Sequence, residues 1–247
     1  KTEILYSLLT LAQEKNVKTE RFPLVYVDTV IVIHTNVEEF QRFLEKKENK
    51  ALKDRFYIIK VPYNLRYNEE ERIYKKLLLS SFTGDYHFAP HSLQVAAMFA
   101  IMTRIHESEN QQVKLFDKLR LYNGDEVEGY TERDIENLSK EGEKNGEGMD
   151  GLSPRFIVNA LSGAVAKKDT KCLTPIDVFR ELKVAVEKKP DLSDSQKERY
   201  IEFLQEILKY YNHLAITDVQ RAFYISFESE INALFKTYLD NVEAYLN

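Results

Sequence analysis

The chain has 247 residues, 43% of them apolar, with only eight glycines and six prolines, which excludes a disordered or fibrous protein and leaves room for one large domain or two small ones. No apolar run reaches the length of a membrane span, and no basic stretch followed by an apolar one marks a secretion signal. The formal charge of −5 argues against a broad nucleic-acid footprint, and the single cysteine, Cys172, cannot form an internal disulfide and suits a reducing cytoplasm.

The first segment, TEILYSLLTLAQ, is amphipathic from its start, with Ile4, Leu5, Leu8, Leu9 and Ala12 on one helical face. A chain opening in this way at Lys1 is expected to be a piece of something longer. RFPLVYVDTVIVIHTN is β-branched and aromatic, and predicts a buried strand pair or one long strand from about Leu24 to His34. VEEFQRFLEKKENKALKD predicts a helix with Phe40, Phe43 and Leu44 inward, and RFYIIKVPYNL a second short strand broken at Pro62. Two strands make no sheet with a core of its own, so further strands are expected upstream.

From Asn68 onward the pattern is helical. NEEERIYKKLLLSS begins with an acidic first turn, and HSLQVAAMFAIMTRI is apolar nearly all round, as a buried helix is. Glu107 to Gly151 predicts loops with one short helix near Glu132 to Lys140. SPRFIVNALSGAVAK, PIDVFRELKVAVEKK and a long C-terminal array follow. Ser193 and Gln196 form a capping-box pattern for a helix carrying Tyr200, Phe203, Leu204, Ile207 and Tyr211. Val219, Phe223, Phe227, Leu234, Tyr238 and Val242 recur near helical spacing, and core packing is favoured over a binding stripe.

Several motifs mislead. Gly146, Gly148 and Gly151 match G-x-G-x-x-G, but a charged segment and not a strand precedes them, so the dinucleotide context fails. The partner motifs of a kinase glycine loop are absent. VYVDTV imitates a strand ending in a magnesium-binding acid, yet the strand pattern continues past Asp28, and no G-x-x-x-x-G-K-[ST] occurs in these residues. His87 and His91 have metal-ligand spacing, but Pro90 lies between them and no third ligand is near. The glycines are better read as shaping a tight loop before a helix capped by Ser153 with Pro154 in its first turn.

Three polar residues carry the functional reading. Arg155 stands in the first turn of that helix, where a cation is mildly unfavourable unless it reaches an anion or a carboxylate partner. Asn36 ends a strand pattern, where its amide can orient a water or a phosphate oxygen, or can simply cap the next helix. Arg55 sits in ALKDRF at a helix-to-strand junction, able to project from a domain edge or to form an ordinary surface ion pair.

The helix ILYSLLTLAQEKNVK, the strand VDTVIVIHTN, then ALKDRF and a later helix opening GLSPRF resemble the back half of an AAA+ ATPase module. The blocks RFPLVYVDTVIVIHTNVEEFQRFLEKKENKALKDRFYIIKVPYNLRYNEEERIY, APHSLQVAAMFAIMTR, LRLYNGDEVEGY, EGMDGLSPRFIVN and YLDNVEAYLN resemble the PrkA family of bacterial serine protein kinases over essentially the whole chain. The resemblance implies a mainly α fold: a truncated α/β remnant of an AAA+ core over residues 1–65, then an all-helical lid and the start of a PrkA C-terminal domain over 66–247. It implies Asn36 as the sensor-1 residue, Arg55 as the arginine finger and Arg155 as the sensor-2 arginine. It further implies ATP and magnesium in the intact protein, none of it held tightly by these residues, together with a protein substrate, a homo-oligomer and a cytoplasmic location. No kinase motif here accounts for the family's phosphorylating activity. An ATP-driven remodeller or protease is one alternative, and a non-catalytic helical docking module another.

Overall fold

The computed structural model describes residues 11–17, 25–46, 49, 53, 56–81, 86–108, 113–166, 172–226 and 228–246. They belong to two compact units, Lys1–Lys60 and Val61–Asn247. Helices dominate, as the mainly α reading requires.

In the first unit, β1 (Asn16–Val17) pairs antiparallel with β2 (Val25–Tyr26), with Asn16 opposite Tyr26. Helix α1 (Val37–Glu45) follows, begun by Asn36, whose Oδ1 accepts from the Glu39 amide at 2.7 Å, with Glu38 and Glu39 in the first turn where the dipole favours them. Phe43 lies between the rings of Phe40 and Phe56, centroids 6.4 and 6.3 Å away. The long buried strand expected to run to His34 does not form. Beyond Tyr26 the backbone to Asn36 pairs with no described strand, and Val30 and Val32 are 88% and 87% exposed. Nor does RFYIIKVPYNL form a strand over its described residues, 56 onward, where Tyr57, Ile59 and Val61 are largely exposed. A β-branched run needs neighbouring strands to become a buried strand, and the described residues supply two paired positions. The first predicted helix is described only from residue 11, helical to 14; Ile4, Leu5, Leu8 and Leu9 lie outside the described residues.

The second unit is built around one apolar helix. α2 (Tyr67–Ser81), α3 (Ser92–Met102), α4 (Leu115–Asn123), α5 (Glu132–Lys144), α6 (Pro154–Ala166), α7 (Pro175–Glu187), α8 (Asp194–Ser226) and α9 (Glu228–Leu246) succeed one another, with β3 (His87–Phe88) pairing parallel with β4 (Cys172–Leu173). In α3 every residue but Gln94 is buried, because α2, α4, α6, α7 and α8 all pack against it. Gln196 accepts from both the amide and the hydroxyl of Ser193 before α8, as its capping-box pattern predicts, and Asp177 does the same for Thr174 before α7, a box the sequence reading did not name. One helix of the charged stretch was not expected: α4 closes on Gly124 at φ 90°, whose N–H bonds Arg120 and Leu121 carbonyls. The small β3–β4 ladder is a further departure from an all-helical body.

Tyr200, Phe203, Leu204 and Ile207 are buried as predicted. The expected core role of the distal residues is overturned: Val219, Phe223, Leu234 and Tyr238 are 55–74% exposed, and Val242 is exposed too. Their helical spacing is right, but no described element covers that face; Phe227 lies outside the described residues.

Candidate functional site

The loop between α5 and α6 is clasped by residues far away in sequence. Gly148 accepts from the Tyr63 amide at 2.7 Å and donates its own N–H to the Arg104 carbonyl at 3.0 Å. Leu152 donates to Thr103 Oγ1 at 3.0 Å, and its carbonyl accepts from Arg104 Nε at 3.0 Å. Gly148 and Gly151 hold φ of 79° and 97°, and an added Cβ would meet Tyr63 O at 2.9 Å in the first case and collide with the Thr103 carbonyl in the second. Both the backbone sign and the close approach demand glycine there. The glycines thus shape a docking loop, as their sequence context implied.

Arg104 is the centre of the clasp and is fully buried. Its remaining nitrogens donate to Asn64 O at 3.0 Å and Glu70 Oε1 at 2.7 Å, and its guanidinium lies over the Tyr63 ring, 4.9 Å from the centroid. Tyr74 donates to the same Glu70 oxygen at 2.8 Å. Burial first, and the Glu70 charge second, push the Tyr74 hydroxyl well above its ordinary range, so it stays protonated. A second buried pair stands beside the loop. Glu147 Oε1 accepts from Lys118 Nζ and the His106 amide, each at 2.7 Å, while Oε2 accepts from the Tyr122 hydroxyl at 2.7 Å. Burial and the Glu147 bond raise the Tyr122 pKa as well. These bonds position the loop, while Glu70 Oε2 is buried without a hydrogen-bond partner among the described residues.

Arg155 leaves this pinned loop on the first turn of α6. It is exposed, and no carboxylate pairs with it among the described residues. Asn36 lies in the other unit as the N-cap of α1; the cap uses Oδ1, so the sensor reading falls on its Nδ2 donor. Arg55 lies outside the described residues. Among the described residues there is no group of three His, Cys, Asp or Glu able to hold a metal, and His91 instead bonds Asp218 and Gln94.

Sequence reading missed Arg104, Glu70, Lys118 and Glu147. The partners are 34 and 29 positions apart, beyond any local pattern. The one available signal was a cation ending an apolar helix, Arg104 after AAMFAIMT.

The family model described as the PrkA AAA domain matches residues 1–112, and the PrkA serine protein kinase C-terminal domain matches residues 116–247. Asn36 and Arg55 fall within the first span and Arg155 within the second, and the clasp bonds the two spans to each other through Tyr63, Arg104 and Gly148. A Bacillus subtilis (strain 168) protein named ATP-dependent protease PrkA is 43% identical over 245 residues, covering 99% of this chain and 38% of its own length. Escherichia coli (strain K12) serine/threonine kinase YeaG is 32% identical over 250 residues, with the same coverage. The chain therefore spans about two fifths of the length of these relatives, and no solved structure matches it. Matched along its whole length by the two family domains in succession, the chain belongs to the PrkA family.

Proposed function

We propose that the chain is the part of an ATP-dependent serine/threonine protein kinase in which the end of an AAA+ core, residues 1–65, is followed by a helical lid and the start of the C-terminal domain, residues 66–247. ATP and magnesium serve the intact cytoplasmic protein, whose substrate is a protein. Asn36 Nδ2 orients the attacking water or a γ-phosphate oxygen, and Arg55 completes the site of a neighbouring subunit in a homo-oligomer. Arg155 reads the γ-phosphate from the lid. When bound, the magnesium nucleotide supplies the phosphoryl group; these residues supply positioned positive charge and hydrogen bonds, the main contribution a protein makes to that transfer.

One observation carries the reading: Arg155 is exposed, without a carboxylate partner among the described residues, at the end of a loop fixed by buried bonds. A first-turn cation costs a few tenths of a kcal/mol without an anion, while a charge-assisted bond to phosphate contributes about 1.5–3 kcal/mol. Arg155→Ala in the whole protein is expected to weaken ATP binding roughly tenfold to a hundredfold and to change ADP binding little. Arg155→Lys recovers only part, since a point charge replaces a planar fork. Equal loss for both nucleotides, or a drop in thermal stability with neither moved, would make Arg155 a packing residue.

The name of the Bacillus subtilis relative favours a second reading, ATP-driven proteolysis. Incubation of the whole protein with a protein substrate and γ-labelled ATP separates the two. Label transferred to substrate supports the kinase; ATP-dependent cleavage without label supports the protease.

A further inference from the structure

Helix α8 changes character along its length. Its first half contributes Tyr200, Phe203, Leu204 and Ile207 to the core, whereas residues 216–224 are exposed, Ile216 and Val219 by more than half. Within that exposed half, Asp218 reaches back to the body: its Oδ2 lies 2.7 Å from Nε2 of His91. His91 precedes α3 and holds a left-handed backbone, φ 64°, that a residue with a β-carbon seldom adopts. Its Nδ1 lies 2.6 Å from Gln94 Oε1, and the edge of the ring meets Tyr211, 6.4 Å between centroids.

Both ring nitrogens face oxygens that only accept: Gln94 Oε1 stands opposite Nδ1 and the Asp218 carboxylate opposite Nε2. A neutral imidazole carries one N–H and would set a lone pair against one of these oxygens. An imidazolium satisfies both.

We propose that His91 and Asp218 form a proton-operated latch: the imidazolium holds the distal half of α8 against the head of α3, and loss of its proton releases that half together with α9. The groups acting on the ring come from three elements. Asp218 and Tyr211 face it from α8, Gln94 from α3, and the Glu71 carboxylate from α2, where Lys75 acts in turn on Glu71. Burial of the ring pulls its pKa down, but the bonds to Gln94 and Asp218 and the charges of Asp218 and Glu71 outweigh burial, leaving it above the ordinary 6.5. The folded value is the raised one, so the latch contributes fully below about pH 6.5 and is lost as pH rises through the folded value. It opens on the neutral-to-alkaline side. The face it governs is the apolar stripe of α9, Ile231, Phe235, Tyr238, Val242 and Tyr245, spaced four and three residues alternately.

Two measurements on the whole protein test this. NMR titration of the imidazole is expected to place His91 above 6.5, and Asp218→Asn to lower it. Spin labels on Lys76→Cys and Gln220→Cys, both exposed positions, in a background with Cys172 and any cysteine outside these residues replaced by serine, read the α2–α8 distance. A single narrow distance is expected at pH 6 and a broad distribution at pH 8.5. His91→Asn, chosen because asparagine tolerates the left-handed backbone, and Asp218→Asn should be broad at both. A His91 pKa at or below 6.5, or a distance unchanged while the ring titrates, overturns the latch; so does a narrow distance in either variant.

Discussion

Helices α3 and α9 are both rich in large apolar side chains, and the structure treats them in opposite ways. Ten of the eleven residues of α3 are buried, with helices on every side. In α9, Leu234 is 74% exposed and Tyr245 90%, and Ile231, Leu234, Phe235 and Tyr238 form an open apolar patch on one face of the helix. The difference lies in what surrounds the apolar residues. α3 has no charged residue between Ser92 and Met102, whereas α9 carries Glu228, Glu230, Lys236, Asp240 and Glu243 around its stripe. An all-apolar helix must be enclosed, and an amphipathic one needs a single covered face. The pattern states how much of a helix is to be covered; it does not name the cover.

The sharpest way to break the comparison is to weaken the enclosure of α3 at its end. Arg104 follows that helix and closes the clasp from within, fully buried with Glu70. Arg104→Met leaves the Glu70 carboxylate buried and unpaired, and is expected to cost the helical unit about 3–5 kcal/mol. Chemical denaturation reads the loss, and adding Glu70→Gln should recover part of it by removing the stranded charge. A loss below about 1 kcal/mol for Arg104→Met would show that α3 is held by apolar packing alone.

The glycine loop sharpens the same contrast at a smaller scale. Gly151 and Gly146 both have positive φ, 97° and 72°, but only Gly151 presses on the backbone of Thr103; around Gly146 the space is open. Gly146→Ala therefore isolates the cost of the left-handed backbone, about 1–2 kcal/mol. Gly151→Ala adds a collision with a main-chain carbonyl that cannot swing away, and is expected to lose at least about 1 kcal/mol more. Equal losses would mean that the loop yields without disturbing the clasp.

What could be read in advance follows the range over which each feature is decided. Helices α2, α3, α6, α7 and the start of α8 were legible because periodicity and capping residues such as Ser153 and Ser193 act within a few positions. Helix α4 was not, since its nine residues lie in a charged stretch and its clearest mark is the closing Gly124. The segment from Val25 to His34 has the composition of a strand, but strand burial is granted by neighbours, and Val30 and Val32 stay exposed. Asn36 was read correctly as a candidate cap from its place before VEEFQRF, an assignment that holds beside any sensor role. Arg104 and Glu147 were illegible because tertiary contact chooses their partners.

The smallest expected effect belongs to α9, and it is the most pointed. Leu234 and Tyr238 would cost several kcal/mol each if they stood in α3, where replacing a buried Phe or Leu by a small residue typically costs about 2–5 kcal/mol. On α9 they already meet solvent, at 74% and 61% exposure, so folding withdraws little of their surface from water. Leu234→Ser with Tyr238→Ser should shift the stability of this chain by no more than about 0.5 kcal/mol, apart from the slightly lower helix propensity of serine. Phe99→Ala, in α3, serves as the reference and should cost about 3–5 kcal/mol. Thermal and chemical denaturation of the three proteins side by side give the ratio. A loss above about 2 kcal/mol for the α9 pair at micromolar protein, absent on tenfold dilution, would show that the stripe is covered by association in solution. A loss of that size that ignores dilution would place α9 inside the fold of a single chain, contrary to its exposure here.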